Sequence, residues 1–197
     1  MGMNILSHLR MARRLLAPYG GGQGGVKSLA FLFGNIRPDI MGGFLVLPHT
    51  PAARAQMINR KIEQCIADMQ NGERGGIYTN YRLGVICHFL ADFFCYAHND
   101  WADLTSKAHF MYEMRLNRAL KQSDYEQDSI PLPVGDVSSI IQSIWQAHQE
   151  YSALNPDPLQ DIEYTGDVCA LLLSSARYLA YCGGHHPFEA APVPVYA

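Results

Sequence analysis

The chain has 197 residues, of which 48% are hydrophobic and 17% charged, and its formal net charge is -3 at pH 7. That much apolar material excludes a disordered chain and suits one domain over residues 1–197, large enough to bury a sizeable core. The slightly negative balance gives no basic patch for a stable nucleic-acid complex, and the one cationic group, Arg10 with Arg13 and Arg14, reads as the solvated face of an amphipathic helix.

In chain order, Met3 to Leu16 carries apolar residues at helical intervals and stops before Pro18 and the run Gly20 to Gly25, which reads as a flexible connector. It is no phosphate loop, because the Gly-Lys-Ser/Thr order is missing and no strand precedes it. Ser28 to Phe33 is a short apolar segment. It leads into Gly34-Asn-Ile-Arg-Pro-Asp39-Ile, where Pro38 biases its predecessor away from helix and places Asp39 in a turn or at a helix start. A loop with Gly42, Gly43, Pro48 and His49 follows, and Pro51 opens a helix to about Met69.

Tyr78 to Tyr96 is apolar nearly all round and predicts a central buried helix with His88 and Asp92 in its middle. Further helices are expected over Ala102 to Leu120, Val137 to Ala153 and Ile162 to Tyr181, with a polar loop to Pro133 and an irregular tail from Gly183. No strand-like alternation and no solenoid repeat is present, so the fold class is an all-α, single-domain helical bundle. Five cysteines without CxxC spacing read as buried free thiols of a reducing compartment. With no apolar leader and no long apolar run, the expectation is a cytoplasmic chain without a transmembrane segment. Oligomeric state is not legible.

The chemistry is concentrated in His88-Phe-Leu-Ala-Asp92, His98 and His109-Phe-Met-Tyr-Glu113. Residues four apart lie one turn above each other on a helix, so each His/carboxylate pair can close on one cation. A carboxylate on a buried apolar helix must be compensated by a partner or by a metal. Neutral imidazole and carboxylate together form a ligand set that zinc accepts, and an incomplete set leaves room for water. Asp39, His49 and His8 are further candidates. His148 reads as exposed, as does the His185-His186 pair, and Phe89, Phe93, Phe94, Tyr96 and Trp101 read as core.

These motifs resemble the zinc-dependent phospholipase C family, all-helical phosphodiesterases related in fold to S1/P1-type nucleases. Gly84-Val-Ile-Cys-His88-Phe-Leu-Ala-Asp92, His98 and His109-x-x-x-Glu113 are similar to that family's ligand run. Asn4-Ile-Leu-Ser-His8-Leu is similar to its N-terminal histidine helix, and Gly34-x-Ile-x-Pro-Asp39-Ile to a turn of its phospholipase C/D-like members. The resemblance implies two or three zinc ions. His49, His88 and Asp92 would hold one; His98, His109 and Glu113 a second; His8 and a shared Asp92 oxygen a third. Asp39 would orient or deprotonate the attacking water. The implied activity is hydrolysis of a small-molecule or lipid phosphoric ester. The competing reading is a structural or interaction protein whose metal staples helices without catalysis.

Overall fold

From Leu83 to Cys95 every residue is buried, and Phe89, Leu90, Phe93 and Phe94 have no solvent exposure at all. A helix with no polar face is stable only when other helices surround it, each buried Phe or Leu contributing roughly 1.5–3 kcal/mol. The computed structural model describes residues 5–19, 25–41, 48–72, 75–102, 104–123 and 131–182, and supplies that surround. Its helices are α1 (Ile5–Leu16), α2 (Val26–Ile40), α3 (Pro51–Gln70), α4 (Ile77–Phe93), α5 (Ser106–Gln122), α6 (Val137–Ala153) and α7 (Pro158–Cys182), with 3-10 turns at Ala17–Tyr19, Tyr96–His98 and Asp100–Ala102. No strand occurs among the described residues, so the protein is all-α.

The central segment is α4, packed most extensively on α2 and also on α3, α7 and α1. The α2–α4 contact is backbone on backbone. A Cβ at Gly34 would overlap the Tyr81 carbonyl oxygen, and one at Gly84 the Phe31 carbonyl oxygen. Two glycines therefore let the helices approach closely, which brings the Asn35 carbonyl to 2.7 Å from His88 Nδ1.

Local signals account for several boundaries. Thr50 caps α3 by accepting from the Ala53 N–H, with Pro51 in the first turn, and Thr105 caps α5 in the same way. Asp136 caps α6, which spans the expected Val137–Ala153.

Three expectations are corrected. Gly34 to Ile40 is no turn: α2 continues through Pro38, and Asp39 lies in its last turn. The proline is tolerated close to the helix end, where the Arg37 carbonyl accepts from the Met41 N–H. Arg10 and Arg14 are not a solvated face. Arg10 bonds Asn117, and Arg14 donates to the Leu120 and Ser123 carbonyls at the C-terminus of α5, satisfying acceptors the helix leaves open. His148 is not exposed; it is half-buried, with Nε2 3.0 Å from Asn99 Oδ1 and its ring against Phe94 and Trp145.

The aromatic core expectation holds for Phe89, Phe93 and Phe94, but Tyr96 is half-buried and Trp101 is exposed. Cys65, Cys87, Cys95 and Cys169 are buried free thiols, and Cys182 is exposed. The connector at 20–24, the loop at 42–47 and the tail with His185 and His186 lie outside the described residues.

Candidate metal centre

Six segments bring the eight sequence-derived residues together. α1 supplies His8, the last turn of α2 supplies Asp39, and His49 stands just before the cap of α3. α4 supplies His88 and Asp92, the 3-10 turn after it supplies His98, and α5 supplies His109 and Glu113.

Asp92 is the hub. Its Oδ2 lies 2.9 Å from His49 Nδ1 and 3.2 Å from His88 Nε2, and its Oδ1 lies 3.1 Å from His98 Nδ1 and 3.4 Å from His8 Nε2. Glu113 Oε1 is a second centre, 3.0 Å from His109 Nε2 and 3.4 Å from His98 Nε2. Asp39 completes the ring, its Oδ1 3.7 Å from His88 Nε2 and 3.8 Å from His49 Nδ1, and its Oδ2 3.7 Å from His8 Nε2.

Hydrogen bonding does not saturate this cluster. The carbonyl of Asn35 can only accept, so His88 Nδ1 carries the proton and Nε2 presents a lone pair to the interior. That lone pair sits 3.3 Å from His49 Nδ1. Both ring nitrogens of His8 and Asp39 Oδ2 are buried without a hydrogen-bond partner among the described residues. Buried polar atoms left this way are costly, and a cation would satisfy the acceptors among them, Asp39 Oδ2 and the unprotonated nitrogen of the neutral His8 imidazole.

The spacing itself fits zinc. Four ligands at about 2.0–2.1 Å in a tetrahedron stand roughly 3.4 Å apart along its edges. The His49–His88, His88–Asp92, His8–Asp92 and His98–Glu113 separations of 3.3, 3.2, 3.4 and 3.4 Å lie at that value. Three triads offer ligand atoms within 4.8 Å of one another: His8, His88 and Asp92; Asp39, His49 and His88; His98, His109 and Glu113. His88 has one available lone pair, so the first two triads compete for it. The third matches the set implied by the resemblance. Asp39 enters a triad as a ligand-grade carboxylate, a use that the resemblance did not assign to it.

Electrostatics separates the members. Burial, reinforced by the neighbouring His88, lowers the His8 pKa to about 4, so its imidazole is neutral and metal-competent near neutrality. Burial also opposes charge on His88 and His98, but Asp92 beside both, with Asp39 and Glu113, outweighs it. The His88 pKa is raised, and that of His98 is raised to about 9. Burial would raise Asp92, yet His98, His88 and His8 around it hold it well below the usual carboxylate range. Asp39 is pushed up to about 6, chiefly by burial. The interior thus favours positive charge gathered around Asp92.

Sequence reasoning missed the Asn35 carbonyl. A backbone acceptor carries no side-chain signature, and its role depends on the Gly34–Gly84 approach.

A model of the zinc-dependent phospholipase C family matches residues 7–156. The chain belongs to that family. Every centre residue, from His8 to Glu113, lies within the matched span. No curated protein and no solved structure matches the chain. At the level of the family, this is a zinc-dependent hydrolase, and among its described residues no helix is long and apolar enough to cross a membrane.

Proposed function

We propose that the chain hydrolyses a phosphoric ester, a phosphodiester or a phospholipid-like substrate, at a centre of two or three zinc ions. His8, His49, His88, Asp92, His98, His109 and Glu113 would hold the metal, and Asp39 would act as the proton acceptor. The observation that carries this reading is that the His8–Asp92, His88–Asp92 and His49–His88 separations of 3.4, 3.2 and 3.3 Å lie near tetrahedral-edge length while His8 and Asp39 Oδ2 lack hydrogen-bond partners among the described residues. Bound zinc would supply charge neutralisation at phosphate oxygens and a water of lowered pKa.

The chain's own groups do the rest. Asn35 fixes the His88 tautomer from behind, as an outer partner of a metal-binding imidazole does. The two oxygens of Asp92 serve different histidines, so one carboxylate holds two subsites in register. Asp39, with a pKa near 6, is mostly ionised at neutral pH and basic enough to take a proton from a water. Access is supported from one side: the His109 side chain is 24% exposed and those of Asp39 and Glu113 10%, against none for His8, His88 and Asp92.

The whole chain is read as one domain. Four buried free thiols support a reducing compartment.

Metal content by plasma mass spectrometry, paired with turnover of a generic phosphodiester, tests the assignment. The native chain should carry two or three zinc ions and turn over. Asp39→Asn should lose about 10²–10⁴-fold in rate while keeping its metal, and His88→Ala should lose both activity and metal. Stoichiometric zinc with no turnover of any phosphoric ester, and a melting point that collapses in chelator, would instead establish the stapled structural protein.

A further inference from the structure

Helix α5 packs on α7 and α1 and buries Tyr112, Glu113, Leu116 and Leu120, leaving a different kind of face outside. Phe110, Met111 and Met114 are 57%, 52% and 46% exposed, and their helical spacing makes them one apolar strip. Exposed Lys107 precedes the strip by one turn, and exposed Arg115, Arg118 and Lys121 continue it. A groove of about 520 Å³ runs along this face, its described lining drawn from α5 alone. Packing within the bundle does not account for the strip, because all three apolar side chains stay about half in water.

Charge on this face is one-sided, on a chain whose overall charge is negative. The single acid of α5, Glu113, is turned towards His98 and His109. Two more guanidiniums adjoin the helix from α1: Arg10 bonds the Asn117 side-chain oxygen, and Arg14 bonds the Leu120 and Ser123 carbonyls. Those acceptors are neutral, so both positive charges are kept. The sequence shows no such basic patch, because Arg10 and Asn117 stand 107 residues apart in the chain. A basic helix face with a half-exposed Phe–Met strip suits a surface that is anionic outside and apolar beneath, where each kind of side chain finds its own layer. A polyanion without an apolar layer would take the charge and leave the strip wet.

We propose that α5 docks the protein on an anionic phospholipid bilayer, with Phe110, Met111 and Met114 entering the headgroup layer and Arg115, Arg118 and Lys121 meeting the lipid anions. Docking is independent of the metal chemistry, but its use rests on the hydrolase reading: His109, the most exposed side chain of the centre, directly precedes Phe110 on this helix.

The test is co-sedimentation of the purified chain with vesicles of phosphatidylcholine, with and without phosphatidylserine. Binding should require phosphatidylserine and fall in high salt. Arg118→Gln and Lys121→Gln should each weaken it about fivefold, and Phe110→Gln and Met111→Gln about tenfold each. All four positions are exposed, so zinc content and melting temperature should stay native and lost binding would not reflect lost folding. No binding, equal binding to both kinds of vesicle, or native binding by Phe110→Gln and Arg118→Gln would overturn the proposal. So would a dimer, seen by analytical ultracentrifugation without vesicles, that Phe110→Gln dissociates. Zinc content and turnover of a soluble phosphodiester report on the metal centre separately, so the two readings fail independently.

Discussion

Asp161 and Asp92 are the most deeply buried carboxylates among the described residues, and their surroundings are opposites. Asp161, in the first turn of α7, is 1% exposed and receives three donors: the Tyr151 hydroxyl at 2.7 Å, the Tyr112 hydroxyl at 2.9 Å and the Tyr96 N–H at 3.3 Å. Asp92, fully buried, faces four imidazoles, of which His88 has its proton committed elsewhere and His8 is neutral near pH 7. Asp161 is satisfied by groups that carry their own hydrogens, so it ties α5, α6 and α7 together without help. Asp92 is met by imidazoles of two kinds: His98, raised to about 9, carries its own proton, while His8 and the Nε2 of His88 offer lone pairs that a cation would take. Burial of an acid is thus no sign of function by itself; the donor or acceptor character of its neighbours separates a latch from a metal centre.

The comparison breaks most visibly under metal removal. Asp92→Asn should lose bound zinc and reduce hydrolysis to background. In chelator it should melt below the native chain, because the metal-free centre still holds that carboxylate ionised against His98 and His88. Chelation of the native chain should lower its melting temperature by about 10 °C, the shift that corresponds to losing roughly 4 kcal/mol of ligand linkage in a chain of this size. Equal melting points with and without chelator would remove the distinction between the two acids.

Asp161→Ala should cost about 2–4 kcal/mol by chemical denaturation, from two tyrosine hydroxyls left unpaired, and by the same amount with or without metal. The Asp161 carboxyl has its pKa raised from 3.8 to about 7, chiefly by burial, against the opposing pull of Tyr151 and Tyr112. A folded value above the unfolded one means that its contribution to stability is fully present below about 3.8 and is lost as pH rises through about 7. Asp161→Asn, neutral throughout, should therefore show a smaller fall in melting temperature than the native chain between pH 5 and pH 8. A smaller effect, about 1–3 kcal/mol, is expected for Gly84→Ala, which forces α4 off α2 and lengthens the His88–Asn35 contact; reduced zinc affinity alongside the stability loss would identify that contact as the link. Thr50→Ala should cost about 1 kcal/mol through its lost cap beside His49.

Periodicity placed most helices within a few residues, since apolar spacing and capping chemistry are local. Pro38 misled because the rule for the residue before proline describes a preference that packing on α4 overrides. The Arg14 cap of α5 and the Asp161 latch were illegible, since their partners lie far along the chain.

The sequence by itself determined the two i,i+4 pairs, His88 with Asp92 and His109 with Glu113, because helix geometry makes four-residue spacing a statement about one face. His8, Asp39 and His49 were legible from residue type as further candidates; that His8 and His49 share Asp92 was implied by the family resemblance, and the approach of Asp39 to His88 rests on Gly34 and Gly84, which allow α2 to lie against α4. The partition of His88, with one nitrogen given to the Asn35 carbonyl and the other left for the centre, was decided by tertiary structure alone. No pattern along one chain encodes which backbone oxygen will stand behind an imidazole.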